Sequence, residues 1–303
     1  MTESAPAQKP MLYWLLKTMR PTQWTKNAVV FAAFVFAFGD IHQELGLSHL
    51  LYVALAAACF CGMSSCIYLI NDSLDQELDR NHPTKKYRPI AAGHLPVKIA
   101  LIAAGVLAVT CLVGAYLLAP RFFFALSAYL VLQIGYTCGL KKLAVVDVLC
   151  IATGFLLRAV GGAVVIDVSI SSWLLVCTFL LALFLGFSKR RHEKVNMEES
   201  TGETRPSLMN YSEKMLDAMI MLVAGATLTA YTLYTISPET VEKFGSRKLV
   251  FTVPFVLLGL WRYFHIVYKK QEGGRPEKIL LTDPMTILIV LGYGVTVLGM
   301  FLL

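Results

Sequence analysis

The chain is 303 residues long; 56% of them are hydrophobic and only 16% charged, against about 25% charged in an ordinary soluble domain. With a mean hydropathy of +0.62, this excludes a soluble enzyme and any large second soluble domain, and points to an all-α polytopic membrane protein. The net charge of +7, from 27 Lys and Arg against 20 Asp and Glu, follows the cytoplasmic bias of basic loops in membrane proteins and gives no support for binding nucleic acid.

At about 20 residues per spanning helix, apolar runs bounded by charge predict nine spans, near 24–40, 49–71, 98–118, 122–139, 144–166, 172–188, 215–236, 249–268 and 283–303. The polar stretch 1–11 ahead of them carries no cleavable-signal pattern. No internal repeat is present, and 1–303 reads as one membrane-embedded domain. If the N-terminus and the loops after spans 2, 4, 6 and 8 share one side, that side collects 21 of the 27 Lys and Arg. This predicts a plasma (inner) membrane protein with a cytoplasmic N-terminus and an outer C-terminus. Two loops on that side are long, 72–98 and 189–214, and chemistry is expected there.

Before span 1, Arg20 and Lys26 flank Gln23-Trp24. Trp favours the membrane interface, so the pair is either an interfacial anchor or a receiver for the anionic head of a lipid phosphate.

Span 2 ends in Asn71-Asp72-Ser73-Leu74-Asp75-Gln76-Glu77-Leu78-Asp79-Arg80. On a continuous helix Asp72, Asp75 and Asp79 fall within about 60° of one another and Glu77 points away. Clustered carboxylates repel unless a cation neutralises them, and hard oxygen donors suit Mg²⁺, which bridges carboxylates to substrate phosphates. Mg²⁺ on Asp72, Asp75 and Asp79, assisted by Asn71, is therefore expected, with a solvated acidic helix end as the simpler alternative. Downstream, Lys85, Lys86 and Arg88 are close enough in sequence to reach back to phosphate oxygens.

Asp147 stands at the start of span 5, after Lys141 and Lys142. An ionisable residue in a membrane helix marks function by default, so a ligand, ribose-hydroxyl or supporting role facing the first aspartates is expected, against a charge favoured only by the helix dipole. Arg158, about 16 Å further along the same helix, needs a partner of its own, structural or ligand. Arg262 in span 8 reads as structural. Of Lys189, Arg190 and Arg191 after span 6, the first two are expected to meet phosphate and Arg191 to face solvent. The seven Cys lie in or beside apolar runs and read as small buried side chains. The six His show no metal-binding spacing, and no Walker or dinucleotide glycine loop is present.

The Asn-Asp-x-x-Asp-x-x-x-Asp motif closing a second membrane helix, followed by Arg88-Pro89 and Gly93, resembles the UbiA-type membrane prenyltransferase superfamily. Further stretches resemble the branch of it that transfers phosphoribose to polyprenyl phosphates. They are Arg20-Pro21-x-Gln23-Trp24-x-Lys26-Asn27, Gly154-Phe155-Leu156-Leu157-Arg158-Ala159, Lys189-Arg190-Arg191-x-Glu193, Val253-Pro254-Phe255 with Arg262-Tyr263, and Gly273-Gly274-x-Pro276-Glu277. The resemblance implies a nine-helix, UbiA-like fold and Mg²⁺-dependent transfer of 5-phosphoribose from phosphoribosyl diphosphate to a polyprenyl phosphate taken from the bilayer. The product would serve as a pentose donor for cell-envelope glycans. One departure stands out: prenyl-transferring members carry a second Asp-x-x-x-Asp motif, whereas here Asp147 is followed by Ile151. That weighs against the rival reading, an isoprenoid moved from its diphosphate to an aromatic acceptor. A transporter is the rival from another class, and it would place its charges nearer the bilayer centre. Oligomeric state is not readable from these features.

Overall fold

The computed structural model describes residues 9–41, 43–169, 171–196, 206–269, 274 and 276–302. Residues 1–8 of the polar tail, His42, residues 197–205 of the second long loop and Gly273 of the glycine motif lie outside them. Every regular element among the described residues is helical.

A short helix α1 (Met11–Met19) leads to the first expected span, which is not a regular α-helix. Pro21–Phe31 is 3-10 and only Ala32–Phe38 (α2) is α-helical. At about 2.0 Å per 3-10 residue and 1.5 Å per α residue, these 18 residues reach about 32 Å, enough for a hydrocarbon core of about 30 Å. The segment is pressed against the fifth span so closely that a Cβ on Gly162 would stand 1.9 Å from the Val30 carbonyl oxygen. Only glycine permits that approach.

The chain continues through α3 (Leu47–Leu74), α4 (Gln76–Asn81), α5 (Val97–Leu118), α6 (Pro120–Cys138), α7 (Val146–Val164) and α8 (Ser172–Val195). It closes with α9 (Pro206–Met209), α10 (Glu213–Ile236), α11 (Pro238–Phe244), α12 (Val253–Tyr268), α13 (Pro276–Thr282) and α14 (Pro284–Leu302). Among the described residues seven segments are long and apolar enough to cross a membrane, namely α3, α5, α6, α7, α8, α10 and 248–268, and α14 adds a shorter apolar helix. The protein is a multi-pass membrane protein.

Packing follows chain order: α3 lies on α5, α5 on α6, α6 on α7, α7 on α8, α8 on α10, α10 on α12 and α12 on α14, with the 3-10 segment between α3 and α7. Among the described residues four apolar clusters result, two of them large. One gathers the first segment, α3, α6 and the residues after α7 around Val30, Phe60, Phe122 and Leu126. The other joins α7, α8, α10 and α12 around Phe184, Leu216, Ile220 and Ile266. Helix α7 is the wall they share, so groups at its start stand between the two halves. The C-terminal ends of α3 and α8, the start of α7 and the α6–α7 turn all fall at the same end of the bundle, the basic one.

Candidate active site

At the basic end α3 stops at Leu74, and Asp75, with φ −88° and ψ 8°, caps it before α4 begins. That interruption changes the expected geometry. Asp72 and Asp79 are brought together and buried, whereas Asp75 turns to a different partner. Arg88 Nη1 donates both to Asp72 Oδ1 at 3.0 Å and to Asp79 Oδ2 at 2.7 Å. Arg20 Nη2 meets the two oxygens of Asp72 at 2.6 and 2.9 Å, its guanidinium lying over the Tyr68 ring at 4.7 Å. Asp75 accepts from Lys141 Nζ at 3.0 and 3.1 Å and from Asn71 Nδ2 at 3.0 Å, and Lys141 also donates to Asn71 Oδ1 at 3.3 Å. Glu77 is exposed, as its place on the helix predicts.

The backbone aims these cations. Arg20 sits at the corner between α1 and the 3-10 segment with φ 54°, a left-handed conformation uncommon outside glycine. Arg88 is extended ahead of Pro89, as a residue before proline prefers. A tight reversal then closes through His94 N–H to the Pro89 carbonyl, with Gly93 at φ 79°. Burial pushes the Asp79 carboxyl above its ordinary pKa, with the Arg88 charge opposing. Lys85 is half-buried and its charge reaches Asp79, whereas Lys86 is exposed with its ammonium over the Tyr87 ring. Lys26 and Lys189 are half-buried, and Trp24 donates to Ser65 on α3.

Three carboxylates therefore face three cations. Among the described residues no group of three or more His, Cys, Asp or Glu side chains is drawn close enough to hold a metal ion: Arg88 stands between Asp72 and Asp79, and Lys141 holds Asp75 apart from them. This corrects the expected convergence of Asp72, Asp75 and Asp79 on one point. The donor chemistry nonetheless fits a hard cation. Asp72 and Asp79 converge on a single position, and a positively charged nitrogen, Arg88 Nη1, stands there.

Asp147 is a second correction. It does not open toward the first aspartates: it is 0% exposed and accepts from Arg190 Nε at 2.6 Å, Tyr211 Oη at 2.9 Å and Ser207 Oγ at 3.3 Å. Three donors saturate the carboxylate in a dry setting. Arg190, 2% exposed, is correspondingly turned inward and also donates to Glu193 at 2.6 Å. Arg191 does not face solvent; it pairs with Asp217 at 2.5 Å and lies over the Tyr268 ring at 4.1 Å. Sequence reasoning missed Ser207, Tyr211 and Asp217, because nothing in their local spacing distinguishes them from loop and helix-start residues. The Tyr211 hydroxyl is held protonated, its pKa raised mainly by burial.

Arg158 is 6% exposed and has no carboxylate partner among the described residues. Its guanidinium donates to Asn27 Oδ1 at 2.7 Å, the Gly154 carbonyl at 2.9 Å, Tyr129 Oη at 2.8 Å and Ser64 Oγ at 3.4 Å. It thus ties the first segment, α3 and α6 to α7. Arg262 donates through Nε at 2.9 Å and through Nη2 to Asp283, which in turn accepts the Thr286 amide at the start of α14.

A family model described as the UbiA prenyltransferase family matches residues 28–290. The chain belongs to that family. It is a membrane-embedded transferase. A decaprenyl-phosphate phosphoribosyltransferase from Mycobacterium tuberculosis is 34% identical over 300 residues, covering 98% of each chain. A protein of the same description from Corynebacterium glutamicum is 33% identical and covers 92% of this chain and 84% of its own. The fold is that of a UbiA homologue from Archaeoglobus fulgidus solved with GPP and Mg²⁺, at a TM-score of 0.69 and 18% identity over 95% of this chain and 96% of that one.

Proposed function

We propose that this UbiA-family enzyme transfers 5-phosphoribose from phosphoribosyl diphosphate to a polyprenyl phosphate at the cytoplasmic face of the plasma membrane, releasing diphosphate. The observation that carries the reading is the set of three cations, Arg20, Arg88 and Lys141, held within hydrogen-bond distance of Asp72, Asp75 and Asp79. Near-full-length similarity to relatives described as decaprenyl-phosphate phosphoribosyltransferases supports the choice of donor and acceptor.

Asp72 and Asp79, with Asp75 and Asn71 beside them, would hold Mg²⁺. The ion supplies neutralisation of the diphosphate charge. Arg20 and Arg88 offer planar forks to the diphosphate oxygens, and Lys141 a compact charge. As these cations gather the leaving group, the bond from ribose C1 to the diphosphate oxygen lengthens and C1 takes on oxocarbenium character. The oxygen of the lipid phosphate, already anionic at neutral pH, forms the new bond to C1 from the opposite face, so the configuration inverts and no general base is needed. Lys26, Lys85 and Lys189, all half-buried, would meet the acceptor phosphate and the 5-phosphate. Catalysis here is positioning and electrostatic stabilisation.

The enclosure of Asp147 supports this reading over isoprenoid transfer from a prenyl diphosphate, since the one aspartate left of a second acidic motif is saturated by protein donors. The test is a turnover assay on purified protein with Mg²⁺ and two donors in parallel, phosphoribosyl diphosphate labelled in the ribose and a labelled prenyl diphosphate. Ribose label entering the lipid phase supports the proposal; consumption of only the prenyl diphosphate refutes it.

A further inference from the structure

The turn joining α6 to α7 is strained. Val145 has φ 68° and ψ −50°, and the Val146 amide donates to the Ala144 carbonyl at 2.8 Å. This is a γ-turn of the rare positive-φ form, centred on a β-branched residue, for which positive φ is a true outlier. Such a conformation persists only where its surroundings over-determine it.

One side chain supplies that restraint. The Val145 amide donates to the hydroxyl of Tyr211 at 2.5 Å, and the same hydroxyl donates to Asp147 Oδ1 at 2.9 Å. Tyr211 is buried, and its partner Asp147 is anchored by Arg190 and Ser207. On the other side of the turn lies the 3-10 piece Leu140–Lys142, whose Lys141 reaches Asp75 and Asn71. The path from Tyr211 to the aspartate motif thus runs along five residues of backbone, 141–145, with the strained Val145 at one end and Lys141 at the other.

We propose that Tyr211 is a positioning residue: its hydroxyl holds the γ-turn at Val145, and the turn sets Lys141 in register over Asp75. The phenol is needed because one group must accept from an amide and donate to a carboxylate at once, which phenylalanine of the same shape cannot do. The kinetic consequence rests on the proposed role of Lys141 in holding diphosphate; the geometric consequence does not.

The experiment measures labelling of lysines by an amine-reactive reagent, read by mass spectrometry on the full chain in detergent, with exposed Lys142 as internal reference. Paired Lys141 is expected to label up to about fivefold more slowly than Lys142 in the parent protein. Asp75→Asn and Tyr211→Phe should each raise the Lys141 rate several-fold, whereas Ser207→Ala, which removes a bond to Asp147 but leaves the Val145 amide held, should not. Val145→Gly relieves the positive-φ strain and should restore slow labelling in the Tyr211→Phe background. An unchanged Lys141 rate in Tyr211→Phe, an equal rise in Ser207→Ala, or no rise in Asp75→Asn overturns the proposal. If Tyr211→Phe does not fold, the double variant with Val145→Gly decides: a folded, slowly labelled protein supports the proposal, and an unfolded one shows that Tyr211 serves the fold alone and overturns it. In turnover, Tyr211→Phe should raise KM for phosphoribosyl diphosphate more than it lowers kcat, and add nothing in a Lys141→Ala background. If the parent protein does not use that donor, the functional proposal falls while the labelling result still decides the role of Tyr211.

Discussion

Arg190 Nε stands 2.6 Å from Asp147 Oδ2, and the two side chains are 2% and 0% exposed. An ion pair so enclosed is costly to break from one side, because the remaining charge is left buried with less to compensate it, here Glu193 on Arg190. Asp147→Ala is therefore expected to lower stability by about 3–5 kcal/mol, seen as a large drop in melting temperature in detergent. Loss of turnover with unchanged melting would instead show Asp147 to be a ligand of the reacting groups.

The aspartate motif is electrically closed, with Asp72, Asp75 and Asp79 balanced by Arg20, Arg88 and Lys141. A cation arriving alone must displace Arg88 from between Asp72 and Asp79, leaving the guanidinium without an anion. Diphosphate arriving with the cation gives it one. Binding of Mg²⁺ and inorganic diphosphate is thus expected to be cooperative, each tightening the other by about tenfold or more, measurable by titration calorimetry with and without the second component. Chelation of the metal should then weaken diphosphate binding by the same factor.

Two of the basic residues near the motif, Arg88 and Lys86, differ in consequence. Arg88 bridges two buried carboxylates, whereas Lys86 is exposed and lies only over the Tyr87 ring. Arg88→Ala should cost about 100-fold in kcat/KM, the scale of a lost group that stabilises developing charge, and Lys86→Ala less than about twofold, given the small worth of exposed charges. Equal losses in the two variants would contradict the assignment.

Gly162 tests the first membrane segment. A methyl there would fall 1.9 Å from the Val30 carbonyl oxygen, a backbone atom that cannot swing aside. Gly162→Ala is expected to destabilise the protein by about 1–3 kcal/mol or more and to disturb the seat of Asn27 on Arg158. Gly105, whose added Cβ meets nothing within 4 Å, is the control, and alanine there should leave melting unchanged.

Much of the fold was legible because hydropathy is the dominant constraint in a lipid solvent. Apolar runs such as 98–118 and 215–236 match α5 and α10 to within a few residues. The 3-10 form of residues 21–31 was not legible, since its close seat against the facing helix at Gly162 joins residues far apart along the chain. At the site, local spacing marked Asn71, Asp72, Asp75 and Asp79 and the nearby Lys85 and Arg88. It could not say that Asp75 would part from the other two, because that follows from the break after Leu74 and the arrival of Lys141 from another loop. The missing half of the second acidic motif was visible at Ile151. The closure of Asp147 by Arg190, Ser207 and Tyr211 was not, because those partners meet only through the packing of α7, α8 and the approach to α10.

The central claim is that Asp72 and its neighbours handle the diphosphate of a ribose donor, and turnover with ribose-labelled phosphoribosyl diphosphate, Mg²⁺ and decaprenyl phosphate tests it most directly. The account predicts label in the lipid phase from the parent protein, abolished by chelation and reduced about 100-fold or more in Asp72→Ala when that variant melts like the parent. Label that never enters lipid, or enters undiminished in Asp72→Ala, would contradict it.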